Sequence, residues 1–134
     1  MSLNGVLETA LYASDLQSAE TFYTTVLGLD LDSKVGGRHV FLRCGGGMVL
    51  VFDPKATSVP GPIPAHGASG PGHVAFSVAA AELDRWAAHL REHDIEIEAD
   101  VEWPGGGRSL YFRDPAGNSL ELTSPRIWGL PDST

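Results

Sequence analysis

Residues 36–52 read GGRHVFLRCGGGMVLVF, and residues 106–122 read GGRSLYFRDPAGNSLEL. Set seventy positions apart, Gly36, Gly37, Arg38, Arg43, Gly47 and Leu50 recur as Gly106, Gly107, Arg108, Arg113, Gly117 and Leu120. Val40 with Leu110, and Phe41 with Tyr111, keep their apolar or aromatic character. Each copy reads as two strands joined by a tight turn, Gly45-Gly46-Gly47 in the first and Asp114 to Asn118 in the second. One pair breaks the likeness: Val51 aligns with Glu121. A carboxylate set among apolar strand residues costs desolvation unless something compensates it.

The same order of elements precedes each hairpin. Residues 6–12 read as a strand, with Leu7 and Leu11 on one face and Glu8, Ala10 and Tyr12 on the other. Ser14 or Asp15 caps a helix running to about Val26, with Leu16, Ala19, Phe22, Tyr23 and Val26 at helical spacing, and Gly28 suits its end. In the second copy, residues 73–78 form a strand with Val74, Phe76 and Val78 on one face and His73 on the other. A helix over 79–93 comes next, with Leu83, Trp86, Ala87 and Leu90 as its stripe, then a short strand over 95–99. His73 falls 65 positions after Glu8, and Phe76 matches Leu11.

These readings divide a single domain, 1–134, into module one (about 5–53), a linker (54–72), module two (about 73–125) and a tail (126–134). Residues 53–72 carry five prolines and four glycines, the composition of a functional or mobile loop. Two modules of about 60 residues are each too small to be secure folders alone, so one shared fold is expected.

The net charge of −8 and pI of 4.9 argue against nucleic acid or an anionic membrane surface as partner. Cys44 is the single cysteine, which forbids an intrachain disulfide and fits a cytoplasmic setting. No apolar run approaches the ~18 residues of a membrane span, and MSLNGVLETA lacks the layout of a secretion signal.

Sorting strand residues by face gathers four positions away from the helices: Glu8, Val51, His73 and Glu121. Taken singly, Glu8 and Glu121 read as solvated face residues and His73 as a surface or capping residue. The repeat is what places the three polar ones at matching register. Two carboxylates and an imidazole suit a divalent cation, Mn, Fe, Zn, Ni or Co, and leave coordination positions open for a small-molecule substrate. His39 and Phe41, with their mates Ser109 and Tyr111, line the same surface. Tyr111 reads as a group that orients a substrate oxygen or donates a proton, or as a half-buried sheet aromatic. His66, in the linker, reads as a lid or acid–base residue, or as merely exposed. The recurring arginines read as partners of carboxylates near the turns. Cys44 has no base beside it and does not read as a nucleophile; Trp86 reads as core, and Trp103 and Trp128 as pocket rim or interface.

Three segments, DLQSAETFYTTVLGL (15–29), GHVAFSV (72–78) and FRDPAGNSLELTSP (112–125), resemble the vicinal oxygen chelate superfamily. That group includes glyoxalase I, bleomycin-resistance proteins, fosfomycin-resistance enzymes, methylmalonyl-CoA epimerases and extradiol dioxygenases. The resemblance implies an α+β fold: two tandem βαβββ modules forming a curved, cup-shaped mixed sheet with helices outside. It implies a homodimer, with sites built from modules of one chain or both. It sets His73 at the family's second-module histidine ligand and Glu121 at its last-strand glutamate ligand. Glu8 falls where many members have a histidine, and Val51 where glyoxalase I has a fourth ligand. The function expected is a metal-dependent enzyme that chelates a substrate through vicinal oxygens, of lyase or isomerase type. The alternatives are a metal-free small-molecule-binding resistance protein, an Fe(II) ring-cleavage dioxygenase, or a member with a scaffolding role.

Overall fold

In unit one, residues 1–72, the first strand β1 (Glu8–Tyr12) leads into helix α1 (Leu16–Thr21). The cap is Asp15, whose carboxylate accepts from the Ser18 N–H at 3.0 Å and the Ser18 hydroxyl at 2.7 Å. The helix continues as a π-turn, Phe22–Val26. The extra residue in that turn rotates the end of the helix, so Phe22, Tyr23, Val26 and Leu27 all reach the interior. Strands β2 (Asp30–Val35), β3 (His39–Cys44) and β4 (Gly47–Phe52) complete a mixed sheet of order β1-β4-β3-β2, with β1 parallel to β4. A short helix α2 (Pro54–Thr57) opens the next loop, capped by Asp53.

Unit two, His73–Thr134, repeats the plan. Strand β5 (His73–Ser77) is followed by a 3₁₀ turn (Ala80–Glu82) and helix α3 (Leu83–Glu92). Strands β6 (Ala99–Glu102), β7 (Arg108–Arg113) and β8 (Ser119–Thr123) give the order β5-β8-β7-β6, with β5 parallel to β8. A last 3₁₀ turn spans Pro125–Trp128. This computed structural model describes residues 1–132, so the end of the tail, 133–134, lies outside the described residues. Among those described, no helix is long and apolar enough to cross a membrane.

The α+β class and the doubled βαβββ order are as expected. Two elements differ from the sequence reading. Strand β2 was not anticipated: all six of its residues are exposed, and only Leu31 and Val35 among them are apolar. The short strand predicted over 95–99 forms later, at Ala99–Glu102. Ile95 is still held by the helix end, its N–H donating to the Leu90 carbonyl at 2.9 Å.

Register decides which residues share a face. In unit one Leu11 pairs laterally with Val51, and Val51 with Val40. Lateral neighbours point the same way, so Leu11, Val40, Leu42, Val49 and Val51 form one face, all nearly inaccessible, with α1 packed against β3 and β4. Glu8, Ala10, Tyr12, His39, Phe41, Leu50 and Phe52 form the opposite face. In unit two Leu110, Phe112, Leu120 and Leu122 are buried together with Leu83, Ala87 and Leu90 of α3. The other face carries His73, Ala75, Ser77, Ser109, Tyr111, Glu121 and Thr123.

The expected place of Val51 is therefore corrected. Arg43 pairs with Met48 across the first hairpin, while Arg113 pairs with Ser119 across the second. The second turn holds one residue more. It is built on Asp114, whose carboxylate accepts from the N–H groups of Ala116 and Asn118 and from the Asn118 amide. Gly117 supplies the positive φ of 90° that the turn needs. The extra residue moves β8 by one position, so Glu121 corresponds to Leu50. Val51 corresponds to Leu122 and lies in the core. Trp86, expected in the core, is only half-buried; it stands edge-on to His89 at 5.4 Å.

Candidate functional site

Unit two brings a compact polar group onto the face of its sheet opposite the apolar core. His73 opens β5, beside Ser119 of β8. Its Nδ1 lies 2.9 Å from the Ser119 carbonyl oxygen. A carbonyl only accepts, so Nδ1 carries the proton and donates. Nε2 then faces Oε1 of Glu121 at 3.3 Å, with a lone pair wherever it carries no proton. Glu121 is 6 % exposed, and its other oxygen, Oε2, accepts from the Ser109 hydroxyl at 2.6 Å. Ser109 in turn lies 2.9 Å from the Trp103 indole N–H, which donates to it, and 3.1 Å from the Thr123 hydroxyl. Thr123 donates to the Arg108 carbonyl at 2.9 Å. The chain Trp103–Ser109–Glu121 thus holds the carboxylate in one orientation.

The facing lone pairs of His73 and Glu121 repel each other unless a positive charge lies between them. That charge can be a proton on Nε2 or a cation. The 3.3 Å separation fits the second case, since two ligand atoms each ~2.1 Å from one ion lie about 3.0–3.4 Å apart at octahedral or tetrahedral angles. The Nδ1 bond to a backbone carbonyl is also the usual way a metal-binding histidine is oriented. The residues present therefore fit a divalent ion as a two-donor half-site.

Tyr111 stands in β7 opposite Glu121, and its ring is 6.4 Å from that of His73. Burial, and next the negative charge of Glu121, push its phenol up from the ordinary value. It stays protonated at neutral pH, beside Ser109 and Glu121.

Unit one carries a different surface on the corresponding face. Glu8 holds the register position of His73, since Glu8 pairs with Met48 as His73 does with Ser119, and it is exposed. Toward the other end of the face Tyr12, His39, Phe41 and Phe52 form an aromatic cluster, with Phe41 and Phe52 edge-to-face at 5.5 Å. His66 joins it. The Tyr12 hydroxyl lies 2.6 Å from His66 Nδ1, the two rings of Phe52 and His66 are 4.8 Å apart, and the His66 N–H donates to Thr57. The loop is thus pinned to its own unit.

The structure brings His73, Glu121 and Tyr111 together and places Glu8 and His66 in the other unit. Among the described residues, no group of three His, Cys, Asp or Glu side chains forms. Burial pushes the Cys44 thiol up, away from nucleophile chemistry. The recurring arginines largely do pair with acids: Arg43 with Asp32, Arg108 with Asp84 and Asp100, and Arg113 with Glu98. The supporting roles of Trp103, Thr123 and the Ser119 carbonyl were missed by sequence reasoning. The alternation of Ser119, Glu121 and Thr123 with leucines was the available signal.

Residues 5–122 match the family described as the Glyoxalase/Bleomycin resistance protein/Dioxygenase superfamily. The chain belongs to it. A glutathione transferase, FosA, from Serratia marcescens is 32% identical to this superfamily member over 121 residues, covering 90% of this chain and 80% of that protein. The crystal structure of a lactoylglutathione lyase from Agrobacterium tumefaciens is similar at a TM-score of 0.94 and 43% identity, covering 97% of this chain and all of that one. A glyoxalase/bleomycin resistance protein/dioxygenase from Nocardioides is similar at 0.76 and 25%, covering 100% and 91%. Superfamily membership accounts for the doubled fold; it leaves the specific reaction open, because such neighbours carry different activities in their names.

Proposed function

We propose that this protein is a divalent-metal-dependent enzyme of lyase or isomerase type, acting on a small substrate that presents two adjacent oxygens. The observation that carries the reading is the His73–Glu121 pair: 3.3 Å apart, with Nδ1 committed to a carbonyl and both lone pairs turned to one point. Support comes from the 43% identity to a protein named lactoylglutathione lyase. Mn, Fe, Zn, Ni and Co all suit an imidazole–carboxylate donor set. Glu8 is proposed as a further ligand on its register equivalence to His73, from the same chain or a second copy.

When bound, the ion supplies Lewis acidity toward a substrate oxygen. The chain's own residues do the rest. Ser109, held by Trp103, fixes Oε2 of Glu121 and leaves Oε1 as the donor. Tyr111 orients a substrate oxygen through its protonated phenol. His66, bonded to Tyr12, holds the loop against the aromatic face. Strands β1 and β5 are the edges of their sheets, and open edges accept further strands, so a homodimer is proposed; light scattering after size-exclusion checks it.

Metal analysis of the purified protein beside His73→Ala and Glu121→Ala tests the site. The expected result is metal in the wild type and loss of most of it in both variants; equal content in all three overturns the reading. A metal-free small-molecule-binding protein is the second reading, favoured by the cluster of Tyr12, Phe41 and Phe52. It requires aromatic ligands to bind unchanged in the presence of a chelator. An Fe(II) dioxygenase would instead consume oxygen with its substrate.

A further inference from the structure

The duplicated GGR motifs put Arg38 and Arg108 at matching positions with unlike surroundings. Arg108 is paired with two carboxylates within its own unit. Its Nε and Nη2 donate to Asp100 at 2.8 Å each, and its Nη1 donates to Asp84 at 2.6 Å. Asp100 stands opposite Leu110. The position opposite Val40, the mate of Leu110, is Lys34, which is itself bonded to Glu20 at 2.8 Å. A lysine accepts nothing from a guanidinium and repels it. Among the described residues Arg38 accordingly has no carboxylate partner, although the chain has 17 acidic residues to supply one.

Arg38 turns instead to the aromatic face. Its Nη1 donates to His39 Nδ1 at 2.6 Å, and its guanidinium carbon lies 5.6 Å from the centre of the Phe52 ring. Accepting that bond places the His39 proton on Nε2, a second N–H donor. Burial, and next the charge of Arg38, push the His39 pKa down, so the ring stays neutral. His39 also stacks on Phe41 at 3.8 Å and 8°. Arg38, half-buried as a residue, therefore has unused donors beside Phe41, which is also half-buried, while Phe52 is buried beneath them.

We infer that Arg38 is a specificity-determining residue that receives the carboxylate of the substrate, whose planar or apolar part lies against Phe41. The inference rests on the proposal that this protein binds a small-molecule substrate, and it names the class: an organic carboxylate. It also gives a chain of net charge −8 a local place to accept an anion, since no carboxylate among the described residues takes the Arg38 donors.

Benzoate and its neutral isostere benzamide are the probes, titrated by NMR into metal-free protein. The wild type is expected to prefer benzoate, and Arg38→Gln to lose about tenfold or more of that preference, as for a charged hydrogen bond. Lys34→Asp recreates the Asp100 arrangement, and should capture Arg38 and reduce benzoate binding without removing the arginine. No preference in the wild type, or an unchanged preference in both variants, overturns the inference. His73→Ala separates it from the metal reading: that variant should lose metal and keep the benzoate preference. If Arg38→Gln loses its metal with the preference intact, the inference is likewise overturned.

Discussion

Units one and two share strand order, pairing and hairpin position, yet their corresponding faces hold different chemistry. Unit two carries a buried carboxylate oriented by Trp103 and Ser109, with His73 beside it. Unit one has Leu50 where Glu121 stands, and an aromatic cluster closed by a loop histidine. The difference begins in the hairpins. The turn with Gly45 and Gly46 pairs Cys44 with Gly47; the Asp114 turn is one residue longer. A frame that is duplicated need not duplicate its site, because side chains alternate faces every residue and a one-residue change in a turn reassigns them.

The strongest way to break this comparison is to exchange the two positions that register assigns differently. Val51→Glu puts a carboxylate into the core beside Leu11 and Val40 and should cost roughly 4 kcal/mol or more. Leu50→Glu, at the true counterpart of Glu121, should cost at least about 2 kcal/mol less. Denaturant unfolding measures both, and equal losses would show the register to be misassigned.

A next effect concerns the hairpin itself. Asp114→Ala removes three acceptor contacts in a buried turn and should cost about 2–3 kcal/mol. Gly45→Ala, strained at φ 54° in the other hairpin, should cost about 1 kcal/mol. A similar cost for both would mean that the longer turn has no special anchor.

Within the site, Ser109→Ala leaves every proposed ligand in place but frees Oε2 of Glu121. Metal affinity should fall about 10–100-fold, measured by competition with a chromophoric chelator, while Tyr12→Phe, in unit one, should leave it unchanged. A matching fall in Tyr12→Phe would sink the separation of roles between the units.

The smallest effect is a pH dependence. The His39 pKa is lowered in the folded state from its usual 6.5, by burial and then by Arg38. Its contribution to stability is therefore complete above about 6.5 and is lost as pH falls through the folded value. Unfolding at pH 7 and at pH 5 should show a shallower loss in His39→Gln than in the wild type; identical slopes would contradict the buried neutral ring.

Much of this was legible in the chain. The helix cap at Asp15, the alternation of β5 and β8, and the placement of His73 and Glu121 on one face come from local periodicity. Strand β2 was missed because only two of its six exposed residues, Leu31 and Val35, are apolar. The Val51 assignment failed because an ungapped alignment of the repeat cannot see that the Asp114 turn absorbs a residue. The fate of the repeated arginines was equally hidden: Arg38 and Arg108 both follow a Gly-Gly pair and differ in what faces them, Lys34 on the neighbouring strand for one, and Asp100 and Asp84 for the other.

By itself, then, the sequence determined the order of elements, their duplication and the residue types able to hold a metal, since all three depend on neighbours along the chain. Only the tertiary structure decided that Glu121 answers to Leu50, that its carboxylate is oriented by Ser109 and Trp103, and that Arg38, among the described residues, lacks a carboxylate partner. Those outcomes depend on lateral strand register, which hydrogen bonding between distant segments sets and which local sequence does not encode.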